Sequence, residues 1–399
     1  MRSPKDLAPS MSVTPSTSMG GARRGGREFD VLLADGSTAR VRDIRPEDAE
    51  ALRAFHGRLS QQTIFFRFFS PHPVLSKTEV ERFTRVDGAD RVALVAERGG
   101  QIVAVARYDR AAGREDAEVA FVVDDDNQGK GIGTILLEHL VAVARTQGIK
   151  RFVADTLADN HRMLAVFKDA GFCRQYERSG GVIRVVLEIS PTLEALEAVE
   201  ERDRSAVVHS VEKILRPRSV AVIGAARAPR TIGHQLLRNL LSSGFEGTVY
   251  PVNPSTTHIA GVPCWPSVES LPEVVDLALV AVPAAKVPEV VVECGRKEVG
   301  ALVVISAGFA ETGAQGIEHQ REIVRLAHSY GMRIVGPNCF GVINTDPAVS
   351  MNATFAPKPP TPGRIGFVSQ SGGLGIALLQ EISERGMGLS AFVSTGNKA

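Results

Sequence analysis

The sequence predicts an α/β protein in which a region with an antiparallel meander is followed by a doubly wound, parallel sheet. Three observations predict this. Alternating strand-like runs in the first 125 or so residues are separated by turn signals at Asp35-Gly36 and Gly99-Gly100. A glycine-rich stretch, Gln128-Gly129-Lys130-Gly131-Ile132-Gly133-Thr134, then joins a strand to a helix. From Lys213 onward, short Val/Ile-rich strands alternate with helical segments, the mark of a buried parallel sheet. At 399 residues the chain exceeds one ordinary core, so two or three domains are expected.

Composition narrows the function. Lys+Arg number 46 against Asp+Glu 45, so no net field recruits nucleic acid or an anionic membrane. No apolar run approaches the ~20 residues of a membrane span. Residues 1–27 are rich in Ser, Pro, Gly and Arg without an apolar stretch, and read as a disordered tail rather than a secretory signal. Cys173, Cys264, Cys294 and Cys339 form no C-x-x-C pair, which points to a reducing cytoplasm and to neither a disulfide framework nor a metal site.

Strands are expected over 29–33 and 38–44, flanking the first turn. Pro46 opens a helix through Leu59, and a second helical piece covers Gln61–Phe69 with four aromatics that suit a core or a partner surface. Ser76-Lys77-Thr78-Glu79 is a capping box that starts a third helix. Strands over 91–97, 101–108 and 118–123 complete the meander. The glycine stretch leads into a helix from about Ile135 to Gln147. A strand over 149–156, a helix over 162–169 and a closing strand over 182–189 follow. Glu194–Arg204 is charged and helical in propensity, lacks a strong apolar face and reads as a linker. Five strands are then expected over 219–224, 248–252, 276–282, 301–306 and 333–336. A Pro-rich crossing, Pro357–Pro362, precedes a last strand, a Ser/Gly turn and a helix.

The glycines at 129, 131 and 133 let backbone N–H groups converge at a positive helix end, a device for holding a pyrophosphate. Gln-x-x-Gly-x-Gly after a strand, with Asn160 and an Ala170-Gly171-Phe172 ending, resembles the GNAT acyltransferase superfamily over about residues 28–190. The resemblance implies acetyl-CoA as co-substrate. Gln128 to Thr134 would hold the pyrophosphate, Val122 and Val123 would pair with the pantetheine, and Asn160 would either hold the pantetheine or cap its helix. Glu118, four residues upstream of Val122 and so roughly 13 Å away, is the candidate base, with a cross-strand charge paired to Arg107 as the competing reading. Ala-Glu-Val-Ala-Phe is similar to the catalytic-glutamate segment of Pat-type protein lysine acetyltransferases. The tyrosine that often supplies the acid in GNAT enzymes is replaced by Phe167, which leaves the general acid open; Tyr108 and Tyr176 are nearby but suit packing.

Farther along, Gly224 is not followed by Gly-x-Gly-x-x-Gly spacing, and Val252-Asn253-Pro254 stands where a nicotinamide site wants an acid, so NAD is disfavoured. Val222–Ala225, Tyr250–Pro254, Ser306–Phe309 and Gly336–Gly341 instead resemble the CoA-binding domain of NDP-forming acyl-CoA synthetases, relatives of the succinyl-CoA synthetase alpha chain. Ser369–Gly373 is similar to their helix-N-terminal phosphate loop. That implies a CoA nucleotide along Gly224, Ala225, Ala226, Arg227, Val252, Asn253 and Pro254, with Asn338 and Cys339 toward the thioester. Those synthetases relay phosphate through a histidine in their second domain; no histidine follows Ser369 here.

The expected organisation is therefore a tail (1–27), a GNAT α+β domain (28–190), a linker (191–212), a Rossmann-like CoA-binding domain (213–356) and part of a flavodoxin-like synthetase domain (357–399). The expected function is acetylation of a protein lysine, with an AMP-forming acyl-CoA synthetase as the partner the resemblance implies. CoA or a nucleotide would bind the second region as effector. The alternatives are an ADP-forming acetate–CoA ligase with an accessory GNAT domain, and a non-catalytic CoA sensor. Oligomeric state stays open.

Overall fold

The computed structural model describes residues 26–357 and 361–399; the expected N-terminal tail, but for its last two residues, and the middle of the Pro-rich crossing lie outside them. The first unit is built on β1 (Glu28–Leu32), β2 (Thr38–Asp43), β3 (Arg91–Arg98), β4 (Gln101–Asp109), β5 (Asp116–Val123), β6 (Arg151–Leu157), β7 (Cys173–Ser179) and β8 (Val182–Glu188), in the order β1-β2-β3-β4-β5-β6-β8-β7. All neighbours run antiparallel except β5 and β6. Strand β7, absent from the sequence reading, has a polar sequence, CRQYERS, and forms the sheet edge.

Alternation along β5 divides the two cores. Ala117, Val119 and Phe121 pack with Leu136, Leu137 and Leu140 of α4 (Ile132–Thr146) and Phe167 of α5 (His161–Asp169). Val122 faces the opposite core with α1 (Ala49–Arg58), α2 (Gln61–Phe68) and α3 (Lys77–Thr84). The capping box opens α3 as expected: Ser76 Oγ accepts from Glu79 N at 3.2 Å, and Glu79 Oε2 accepts from Ser76 N at 2.8 Å.

Residues 193–215, which the sequence reading took mostly for a linker, are instead one 23-residue helix, α6 (Leu193–Leu215). Its buried positions are few and, apart from Ile214, small (Ala195, Ala206 and Ser210), so no broad apolar stripe betrays it. It lies close against the β1–β2 turn, where Gly36 leaves no side chain to strike the backbone at His209 and Ser210.

The second sheet is all parallel, in the order β10 (Thr248–Val252), β9 (Ser219–Ile223), β13 (Leu277–Val280), β14 (Ala301–Val304), β15 (Arg333–Val335). Helices α7 (Ile232–Ser242), α8 (Val287–Arg296) and α9 (Ala314–Ser329) cover it, and β11 (His258–Ile259) with β12 (Val262–Pro263) forms a small ribbon. Two strands not foreseen, β16 (Gly341–Asn344) and β17 (Met351–Thr354), pair with β18 (Pro362–Ser369) and β19 (Leu389–Ser394) in the order β17-β16-β19-β18. This sheet, with α10 (Gly372–Glu384), therefore draws strands from both sides of the Pro-rich crossing.

The two halves meet where β1, β2 and the β3–β4 turn touch the end of α9. Thr38 Oγ1 donates to His328 O at 2.9 Å, Thr38 N to Gly331 O at 3.2 Å, and Gly99 N to Ser329 O. His328 Nδ1 lies 2.9 Å from Asp30 Oδ2. Burial opposes ionisation of Asp30, but bonds from His328 and Arg40 hold its carboxyl below the usual range.

Candidate functional site

Strands β5 and β6 pair only at Asp116–Arg151, Ala117–Phe152 and Glu118–Val153. Beyond Glu118, β5 stays paired to β4 as far as Val123, while β6 continues to Leu157 on β8 alone. The sheet thus forks at Glu118, and among the described residues one edge of β5 is left without a strand partner.

The ladder decides which backbone groups face that opening. Asp124 N donates to Val103 O at 2.9 Å, so antiparallel alternation turns Val122 toward β4 and aims Phe121 and Val123 at the fork. The backbone groups of Val122, expected to pair with pantetheine, are thus turned to β4, and those of Phe121 and Val123 lie on the open edge. The Val123 carbonyl accepts from Gln128 Nε2 at 3.0 Å, which locks Gln128 beside the cleft.

The glycine loop closes the far end. Asp124 caps the turn before it, accepting from Asn127 N at 3.1 Å and Asn127 Nδ2 at 2.7 Å. Gly129 and Gly131 adopt φ of 78° and 81°, the left-handed region that a side chain disfavours. Helix α4 then starts with no side-chain cap and no acid in its first turn, so the amides around Ile132, Gly133 and Thr134 form a positive end suited to phosphate. Lys130 Nζ lies 3.2 Å from Asn127 Oδ1, and Arg98 Nη1 donates to the same oxygen at 2.9 Å. Burial, then the charge of Arg98, lowers the pKa of Lys130, an effect that a bound anion would oppose. Asn127, Arg98 and Arg162, which bonds Gln128 Oε1, were not picked out from sequence; the Asp124–Asn127 turn signature was the available signal.

Asn160 is buried and its Oδ1 accepts from Met163 N at 3.1 Å, capping α5. Phe167 is in the core, edge-on to Phe121 at 6.2 Å. Tyr108 is fully buried and its hydroxyl, which burial pushes up to about 12, is committed to Ala89 O at 2.8 Å, so it does not reach the cleft as an acid. Tyr176 is exposed on β7. Glu118 is exposed and, among the described residues, its carboxylate makes no hydrogen bond or ion pair. Arg107 does not pair with it; Arg107 Nε and Nη2 bind Asp109 at 2.8 and 2.9 Å.

In the second half, the β9–α7 turn is closed tightly. Gly224 has φ 88°, and a Cβ there would strike the Ala281 carbonyl. Asn253 Nδ2 donates to Ala225 O at 2.7 Å and Arg227 Nε to His258 O at 3.1 Å, so both side chains shape the loop. The Val252 carbonyl accepts from Gly224 N at 3.0 Å. The segments after β9, β10 and β15 all lie at the carboxyl edge of the parallel sheet, where open α/β sheets bind ligands. Asn338 and Cys339 meet Ser371, Gly372 and Gly373 around a cleft of about 520 Å³. Burial pushes the Cys339 thiol up to about 12, and its Sγ lies 3.3 Å from Val304 O, so it is a neutral wall rather than a nucleophile.

Comparisons with known proteins agree with this division. Residues 60–172 match the acetyltransferase (GNAT) family, 218–345 a CoA binding domain, and 362–399 a succinyl-CoA ligase like flavodoxin domain. The second half is 50% identical over 189 residues to ADP-forming acetate–CoA ligase I of Archaeoglobus fulgidus, covering 47% of this chain and 27% of the ligase. It is 46% identical over 194 residues to the alpha subunit of the Pyrococcus furiosus enzyme, covering 48% and 42% respectively. The chain thus spans less than half the length of either relative. The GNAT domain of S. lividans PAT is 46% identical, with 40% of this chain and 96% of that one covered and a TM-score of 0.39. An acetyltransferase of Pseudomonas aeruginosa is 31% identical over 147 residues, which span 79% of its length. The chain belongs to the GNAT acetyltransferase family, in a form fused to CoA-binding and succinyl-CoA ligase-like domains.

Proposed function

We propose that this chain transfers an acetyl group from acetyl-CoA to a protein lysine, and that CoA or a nucleotide at the second half modulates the reaction. The observation that carries the reading is the fork beginning at Glu118, with its free β5 edge leading to the phosphate-binding end of α4. Pantetheine laid along Phe121 and Val123 would point its thioester toward Glu118. Glu118 accepts the ammonium proton, the amine attacks the thioester carbonyl, and C–S cleavage releases a thiolate. With Phe167 and Tyr108 unsuited as acid, that thiolate is protonated by water or by the attacking amine. An AMP-forming acyl-CoA synthetase is the acceptor suggested by the Pat-type resemblance. Incubation of host proteins with labelled acetyl-CoA and this chain, followed by mass spectrometry, tests the reading; label confined to CoA would sink it.

A second reading is favoured by the identity of the second half to ADP-forming ligases. In it the GNAT domain is accessory to an acyl-CoA synthetase. Thioester formation from acetate, CoA and ATP by a protein that contains this chain would support that reading.

A further inference from the structure

On the face of β5 that carries Glu118, a cavity of about 40 Å³ lies between the strands and α1–α3. Phe55, Leu75, Ala120 and Val122 give it apolar walls, and Arg67 and Arg107 give it two guanidinium groups. Arg107 is over nine-tenths buried, and its Nη1 has no hydrogen-bond partner. Its other two nitrogens are committed to Asp109, which also binds Arg91 at 3.0 Å, so that carboxylate has little left to offer. Arg67 has no hydrogen bond among the described residues; its guanidinium carbon lies 5.2 Å from the Phe68 ring centroid. A buried guanidinium with a vacant donor is costly unless an acceptor arrives.

We infer that this cavity receives a carboxylate on a short aliphatic stem, beside the transferred acyl group. The inference rests on the acyl-transfer reading above, because it places the cavity next to the reacting carbonyl. Two molecules could bring such a group: a dicarboxylic acyl thioester, or an acceptor whose lysine neighbours an acidic residue. In the first, succinyl or malonyl would replace acetyl, with the same bonds made and broken. Apolar walls suit the methylenes, and a planar guanidinium suits the carboxylate.

The test uses the full chain. Calorimetry compares succinyl-CoA with butyryl-CoA, thioesters of equal acyl length that differ in the terminal group, and acetyl-CoA serves as reference. Succinyl-CoA is expected to bind on the order of ten- to a hundred-fold tighter, the usual size for a hydrogen-bonded charge. Arg67→Met should erase that preference while acetyl-CoA binding is retained. Arg107→Lys, which keeps a cation beside Asp109, should reduce it and guards against a misfolded variant. If the two thioesters bind alike, lysine peptides flanked by Asp or Glu are compared with their Asn or Gln versions as acetyl acceptors. A similar preference there, lost in Arg67→Met, assigns the carboxylate to the acceptor. Absence of both preferences overturns the inference. Acetyl-CoA binding with no transfer to any acceptor would instead sink the proposed function, while the thioester comparison still decides the cavity.

Discussion

Glu118 stands at the point where two strands part, and because its carboxylate makes no hydrogen bond or ion pair among the described residues, its neutralisation is a clean experiment. Glu118→Gln should slow acyl transfer by roughly 10²–10⁴-fold, with acetyl-CoA affinity nearly unchanged. Part of that rate should return at high pH, where lysine, with a reference pKa of about 10.4, supplies its own neutral amine. A pH–rate profile checks both statements, and wild-type turnover at neutral pH would dismiss the base. Asn160 makes a different case. Its Oδ1 caps α5, so Asn160→Ala should cost about 1 kcal/mol of stability, while Asn160→Asp should keep both the melting temperature and the acetyl-CoA KM. A normal melt with a raised KM in the aspartate variant would show that the amide contacts the ligand instead. The Glu118 position was legible from sequence because strand alternation and the glycine loop fix its place. The Arg67–Arg107 pair was not, since charged residues on separate elements give no local signal that they share a cavity.

At the scale of elements, α4 carries both an end suited to phosphate and a half-buried histidine, His139. Its ring lies against Phe29, tilted by 46° with centroids 4.2 Å apart, and burial lowers its pKa to about 4. The folded state therefore binds fewer protons than the unfolded state between pH 6.5 and 4. Stability should fall as pH drops through that window, and His139→Leu should flatten the decline; thermal melts at a series of pH values check this. Most elements could be read from capping, turns and periodicity. Strand β7 and helix α6 escaped for related reasons. The first is a polar edge whose pairing, not its composition, makes it a strand. The second buries small residues, so tertiary contacts hold a helix that its hydrophobic pattern did not announce. Strand β16 is held by β19, a partner about 50 residues on in the chain, and β17 pairs in turn with β16.

Across the whole molecule, the ends of α9 and of the glycine loop share neighbours. Arg98 holds Asn127 on one side, and the next residue, Gly99, donates to Ser329 on the other. Arg98→Met should raise the acetyl-CoA KM several-fold with little change in kcat, because it loosens the Lys130 loop without touching the fork. Any effect of CoA bound in the second half on acetyl-CoA affinity should shrink with it, as reciprocal coupling requires. Titrating each ligand in the presence of the other measures this. Helix α6 sets a further condition on such communication. It runs past the Gly36 turn of the first sheet and ends where Leu215 O accepts from Asn344 Nδ2 at 2.8 Å. A rigid helix turns about 100° per residue, so it works as a keyed shaft as much as a spacer. One alanine inserted after Ala206 would rotate every later contact out of phase, whereas four would nearly restore the phase at about 6 Å of extra length. Spacing along this helix is thereby a phase-locked quantity, open to change only in near-whole turns.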